Sequence, residues 1–143
     1  MIDHNALLLR ADEARKNAYA PYSDFTVGAA LLCRDGAVFT GCNVENASFS
    51  PTCCAERVAI FKAISEGKHD FCAIAVAGGK SGTPSDFCTP CGVCRQVLAE
   101  FCTEELTVVL AGQDGIPVVT TLGALLPFSF HLSNPPFETE NPS

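Results

Sequence analysis

CAERVAIFKAISEGKHDFCAIAVA, residues 54–77, changes its pattern once along its length. In the first part Val58, Phe61, Ala63 and Ile64 fall where one face of a helix would put them, which predicts a helix from Cys54 to Glu66 packed on a sheet. Gly67 supplies its stop. The second part, Phe71–Ala77, is an unbroken apolar run of strand length. Upstream, Phe25–Cys33 and Ala37–Asn43 flank Asp35-Gly36, a pair suited to the positive backbone angles of a tight hairpin turn. Before them, a helix capped by Asp3 carries Leu7, Leu8, Ala11, Ala14 and Ala18 at helical spacing and cannot run past Pro21. Downstream of a loop from Gly78 to Thr89, Pro90 opens a helix that turns Val97, Leu98 and Phe101 inward. Leu106–Ala111 and Ile116–Thr120 read as two further strands. Five strands interleaved with helices predict an α/β domain, a layered sheet covered on both faces.

The chain has 143 residues and no internal repeat, close to the roughly 150 of a typical domain. One domain is therefore expected over 1–132, with the proline-bearing end, Ser133–Ser143, as a loose tail. Sixteen acidic residues against nine Lys and Arg leave a net charge of −7 and a pI near 4.8. That balance opposes a nucleic-acid partner, whose phosphates must be met by cations, and favours a small molecule. The N-terminal Met1–Arg10 lacks the layout of a secretory leader, and no run approaches the roughly 20 apolar residues that span a bilayer. A cytoplasmic chain with no membrane partner is expected.

Nine cysteines, an odd number in a chain with no export signal, argue against a disulfide framework. Cys33, Cys42 and Cys72 lie in strand-like runs and are expected as small core hydrophobes. Two patches stand out among the rest, Thr52-Cys53-Cys54-Ala55-Glu56-Arg57 and Pro90-Cys91-Gly92-Val93-Cys94-Arg95-Gln96. Each puts thiols at an expected helix start, where free N–H groups and aligned peptide dipoles favour the thiolate that binds metal. Cys91 and Cys94, three apart, can close on one ion. A Cys-x-x-Cys pair alone also serves as a redox dithiol, but Cys54-x-Glu56 followed by Pro90-Cys91-x-x-Cys94 matches the signature of zinc deaminases. On composition either Cys53 or Cys54 could be the upstream ligand; the Cys-x-Glu spacing selects Cys54.

Glu56 does not share a regular helix face with Cys54, two residues before it, so the ion is expected off the helix end, where both side chains converge. Three protein ligands leave the fourth tetrahedral position to water, with Glu56 as proton carrier. Three thiolates outweigh the charge of a zinc ion. The two helix ends and Arg57, a fixed cation able to hydrogen-bond sulfur, are expected to offset the excess. Cys53, Cys88 or Cys102 as a fourth ligand would instead give a closed structural site without catalysis.

These residues, with Ala20-Pro21-Tyr22-Ser23, Val27-Gly28-Ala29-Ala30, Asn43-Val44-Glu45-Asn46-Ala47-Ser48 and Leu125-Leu126-Pro127, resemble the small zinc-dependent cytidine deaminases of pyrimidine salvage over nearly the whole chain. The resemblance implies a three-layer α/β/α fold around a five-stranded mixed sheet. It also implies hydrolytic deamination of cytidine and 2′-deoxycytidine to the uridines with release of ammonia, and a homotetramer with one zinc per subunit. Carried over residue by residue, it makes Cys54, Cys91 and Cys94 the zinc ligands and Glu56 the proton shuttle. Arg57 supports the metal site, and Phe25, Asn43, Glu45, Ala55 and Phe130 contact the substrate, Phe130 in a neighbouring subunit's pocket. Phe128 and Phe130 form an apolar cluster that, with a mean hydropathy of +0.22, suits burial against further copies. At Phe49 many relatives carry tyrosine, so a hydroxyl is missing here. The absence of a phosphate clamp favours a free nucleoside over a nucleotide. Blasticidin S deaminase shares the zinc motifs, but Asn43-Val44-Glu45-Asn46 and Arg57 favour the ordinary cytidine enzyme. A binding module stapled by closed four-sulfur zinc is the rival from another class.

Overall fold

The computed structural model describes residues 2–132; the expected tail, 133–143, lies outside the described residues. The elements are helix α1 (His4–Ala14), strands β1 (Phe25–Cys33) and β2 (Val38–Cys42), helix α2 (Ala55–Ser65), strand β3 (Phe71–Lys80), helix α3 (Gly92–Phe101), strands β4 (Thr107–Leu110) and β5 (Val118–Thr121), and a last turn of helix, α4 (Leu122–Leu125). The strands form one mixed sheet in the order β2-β1-β3-β4-β5, parallel between β3 and β4 and antiparallel elsewhere.

The central strand β3 explains the layering. Its Ala73, Ala75 and Ala77 face a cluster with Leu7 and Ala11 of α1, while Ile74 and Val76 face Ala59 and Ile60 of α2 and Leu98 of α3. Small residues on one face let α1 approach closely, and branched ones fill the space under α2 and α3. Each fully buried aliphatic side chain there contributes about 1.5–3 kcal/mol. Helices on both faces of the sheet give the expected α/β/α sandwich.

Several local expectations are corrected. Phe61 is 47% exposed, because the buried stripe of α2 runs through Ala55, Glu56, Ala59, Ile60 and Ala63 and leaves position 61 outside it. Strand β3 continues past Ala77 to Lys80, where Gly78, Gly79 and Lys80 pair with β1. Pro90 lies before α3: Cys91 is extended, and its carbonyl accepts from Arg95 N, so Cys91 is the cap and the helix starts at Gly92. The β1–β2 turn is longer than a two-residue hairpin, with Cys33 N donating to Ala37 O and only Gly36 taking a positive φ, +95°.

Candidate functional site

Cys54 caps α2 and Cys91 caps α3, both with extended backbones and neither with a side-chain capping bond, so their sulfurs stand at the free N–H groups of two helices. Cys94 lies in the first turn of α3 and is buried. Two helix starts thereby bring three sulfurs within 4.8 Å of one another, with Cys54 and Cys91 Sγ 3.9 Å apart. Among the described residues this is the one cluster able to hold a metal, and Cys53, Cys88 and Cys102 are not part of it. The closed four-sulfur site therefore lacks its fourth thiol. Burial pushes the excluded thiols up, Cys88 to about 11 and Cys102 to about 12, as expected of packed cysteines.

The donor set fits zinc: three soft sulfurs converge, one fewer than a closed tetrahedral site needs. The Cys54 thiol is held down to about 5, first by a hydrogen bond from Cys94, with Arg57 and Cys91 adding to it. Arg57 Nη2 donates to Cys54 Sγ at 3.4 Å and to Thr52 O at 3.3 Å. Glu56 is only 3% exposed; burial pushes its carboxyl up, and the Cys54 charge adds to that. Its Oε1 has no hydrogen-bond partner. A buried, unpaired carboxylate oxygen is costly, and it persists here beside a cluster built for a metal.

A second set of side chains gathers where β2 leaves the sheet. Asn43 is buried: Nδ2 donates to Phe25 O at 2.8 Å and Oδ1 accepts from Val27 N at 2.8 Å, so its amide straps the start of β1. One N–H and one lone pair remain for a ligand. Glu45 reaches the turn before β1 and accepts from Tyr22 N, Ser23 N and Ser23 Oγ. Val44 and Cys53 exchange backbone hydrogen bonds at 2.9 Å, which pins this segment beside the cap of α2. Gly41 makes the same junction possible: a Cβ there would lie 2.6 Å from Ala59 N and closer still to Ala55 O. Ala55 is fully buried, Phe25 is exposed, and Phe130 is 70% exposed with its carbonyl held by Gln96 Nε2. Sequence reasoning missed the attachment of Tyr22 and Ser23 to Glu45, because nothing local links positions 23 and 22 residues apart.

The sequence profile described as the cytidine and deoxycytidylate deaminase zinc-binding region matches residues 1–110. The cytidine deaminase of Sporosarcina psychrophila is 47% identical over 129 residues, covering 90% of this chain and 92% of its own. That of Halalkalibacterium halodurans is 49% identical over 130 residues, covering 90% and 95%. Among solved structures, the cytidine deaminase from Burkholderia pseudomallei superposes with a TM-score of 0.81 at 50% identity, over 90% of this chain and all of the other. The Mycobacterium tuberculosis cytidine deaminase gives 0.78 at 42% identity, over 92% and 100%.

Proposed function

Because the chain belongs to the zinc-dependent cytidine deaminase family, we propose a division of labour within its site for the reaction it catalyses, hydrolysis of cytidine to uridine and ammonia. Cys54, Cys91 and Cys94 hold the zinc. When bound, zinc would supply Lewis acidity, which can lower the pKa of water to about 7. Glu56 is the proton carrier. Its Oε1 takes a proton from the attacking water and delivers it to ring N3; the same carboxyl then carries the remaining proton, from the hydroxyl now on C4, to the C4 amino group, and the C4–N bond breaks to release ammonia and leave the C4 carbonyl. A carboxyl raised by burial suits both accepting and returning the proton. Arg57 steadies Cys54.

Asn43 and Glu45 receive the sugar hydroxyls, and the exposed Phe25 ring packs on the pyrimidine. The contact of buried Ala55 is through its free N–H at the start of α2. The same contacts extend the reading to 2′-deoxycytidine and thus to pyrimidine salvage. Phe130 closes the pocket of a neighbouring copy in a homotetramer with one zinc per subunit. The exposed rings of Phe128 and Phe130 support this, since a lone chain would leave both in water. Residues 1–132 act as one domain in the cytoplasm. Nine free cysteines fit a reducing compartment, and among the described residues no helix is long and apolar enough to cross a membrane.

The observation that carries the reading is the unpartnered, buried Glu56 oxygen beside three converging thiols. Its test is the ultraviolet change on conversion of cytidine to uridine, followed before zinc removal, after it, and after restoration. Turnover is expected to vanish with the metal and return with it; a fully zinc-loaded protein that leaves cytidine untouched would overturn the reading.

A further inference from the structure

Glu45 is tied to the start of β1 by a residue with no part yet in the reaction. Its Oε1 accepts from Tyr22 N at 3.0 Å and Ser23 N at 3.2 Å, and its Oε2 accepts from Ser23 Oγ at 2.5 Å. The Ser23 hydroxyl gives its one proton to Glu45, and its oxygen accepts from Phe25 N at 3.2 Å. One hydroxyl therefore joins the carboxylate assigned to the sugar with the residue assigned to the pyrimidine. Asn43 holds Phe25 from its other side, through the Phe25 carbonyl.

Between Ser23 and Phe25 stands Asp24 with φ +55°, the left-handed region that a residue bearing a Cβ rarely adopts. Asp is among the few such residues that tolerate it, and the turn is fixed by ties from outside, two of them from Ser23 Oγ. With both Oε1 lone pairs occupied and one on Oε2, the carboxylate is left with a single acceptor direction for a ligand. Removing the hydroxyl frees Oε2 to turn and leaves Phe25 N without this acceptor.

We propose that Ser23 is a positioning residue for sugar recognition, holding Glu45 and Phe25 in one hydrogen-bonded unit at fixed separation. The inference rests on the reading of Glu45 and Phe25 as substrate contacts. The turn faces solvent, where tying down a carboxylate adds little to fold stability, so the effect falls on binding. The Ser23 hydrogen bond also holds the Glu45 carboxyl below its ordinary range, which keeps it an ionised acceptor.

The test is steady-state kinetics of the zinc-loaded enzyme and its Ser23→Ala, Ser23→Thr and Glu45→Ala variants, with cytidine and with 2′,3′-dideoxycytidine, which has neither hydroxyl. Ser23→Ala is expected to raise KM for cytidine about tenfold or more, the worth of a hydrogen bond to a charged group, with kcat within about threefold. The dideoxy substrate should lose clearly less, only the share that reaches the pyrimidine through Phe25, and Ser23→Thr, which keeps the hydroxyl, should recover most of the loss. An equal loss on both substrates, a fall in kcat with a lowered melting temperature, or an unchanged KM would overturn the proposal. If Glu45→Ala raises KM and Ser23→Ala does not, the proposal alone fails. If Glu45→Ala leaves KM unchanged, the sugar-site reading fails and takes the proposal with it.

Discussion

The thiol corner of the site (Cys54, Glu56, Arg57, Cys91 and Cys94) and the corner proposed to take the sugar, called the sugar corner below (residues 22–25 with Asn43 and Glu45), are assembled by opposite means. In the first, two helix N-termini aim side chains at a common point, and the helices themselves offset the negative charge gathered there. In the second, side chains reach back to backbone: Asn43 to Phe25 and Val27, Glu45 to Tyr22 and Ser23. The thiol corner draws its geometry from packed core elements, the sugar corner from hydrogen bonds around an exposed turn. Damage to the first should appear in kcat and metal affinity, and damage to the second in KM.

The largest contrast is expected at Glu56. Replacing it by Gln preserves shape and removes the proposed proton carrier, so kcat should fall by about 10²–10⁴-fold while zinc stays bound, a point that metal analysis of the variant checks. A zinc-loaded Glu56→Gln enzyme working at normal speed would break the division between the corners. Gly41→Ala probes what the corners share. The new Cβ must displace the Ala55 carbonyl or Ala59 N, pushing α2 off β2 at the point that aims Cys54 and Glu56. Stability should drop by about 1–3 kcal/mol in denaturant unfolding, with weaker zinc binding. Retention of both would mean that the α2 cap does not depend on this close approach.

How much of each corner was legible in the sequence follows from the same contrast. The thiol corner is written in two short patches, Cys54-x-Glu56 and Cys91-x-x-Cys94, because a helix start converts spacing of two or three residues directly into geometry. The span of β1 is likewise readable from an apolar run bounded by turn residues. Phe61 was misread because α2 carries apolar residues around much of its circumference, and its buried face is told by alanines rather than by its largest side chain. Helix α4 passed unnoticed, being a single turn capped by the Thr121 hydroxyl on Ala124 N, too short to have a period. The Ser23–Glu45 tie joins two loops across 22 positions, brought together by the pairing of β1 with β2 and by the backbone bonds of Tyr19 to Asn43 and Glu45.

Arg57→Gln is the finest test of whether the corners are separate. Arg57 Nη2 touches both Cys54 Sγ and Thr52 O, and Thr52 Oγ1 in turn accepts from Asn46 N, next to Glu45. The largest single contribution to holding the Cys54 thiol near 5 is a proton given by Cys94, with the hydrogen bond from Arg57 behind it. When all three sulfurs are deprotonated to bind a metal, Cys94 has no proton to give, and Arg57 is then left as the donor to Cys54. Its share should therefore be larger in the zinc-loaded enzyme than in the free thiols. Zinc affinity or turnover is expected to fall about tenfold in Arg57→Gln, the usual effect of losing a partner that orients a metal ligand. KM for cytidine should stay within about threefold, since the sugar corner keeps its own ties to the backbone. Zinc competition with a chelator, run beside the kinetics, separates the outcomes. Unchanged affinity and turnover would remove Arg57 from the metal site, and a KM rising in step with the affinity loss would show that the chain Arg57–Thr52–Asn46 couples the two corners into one.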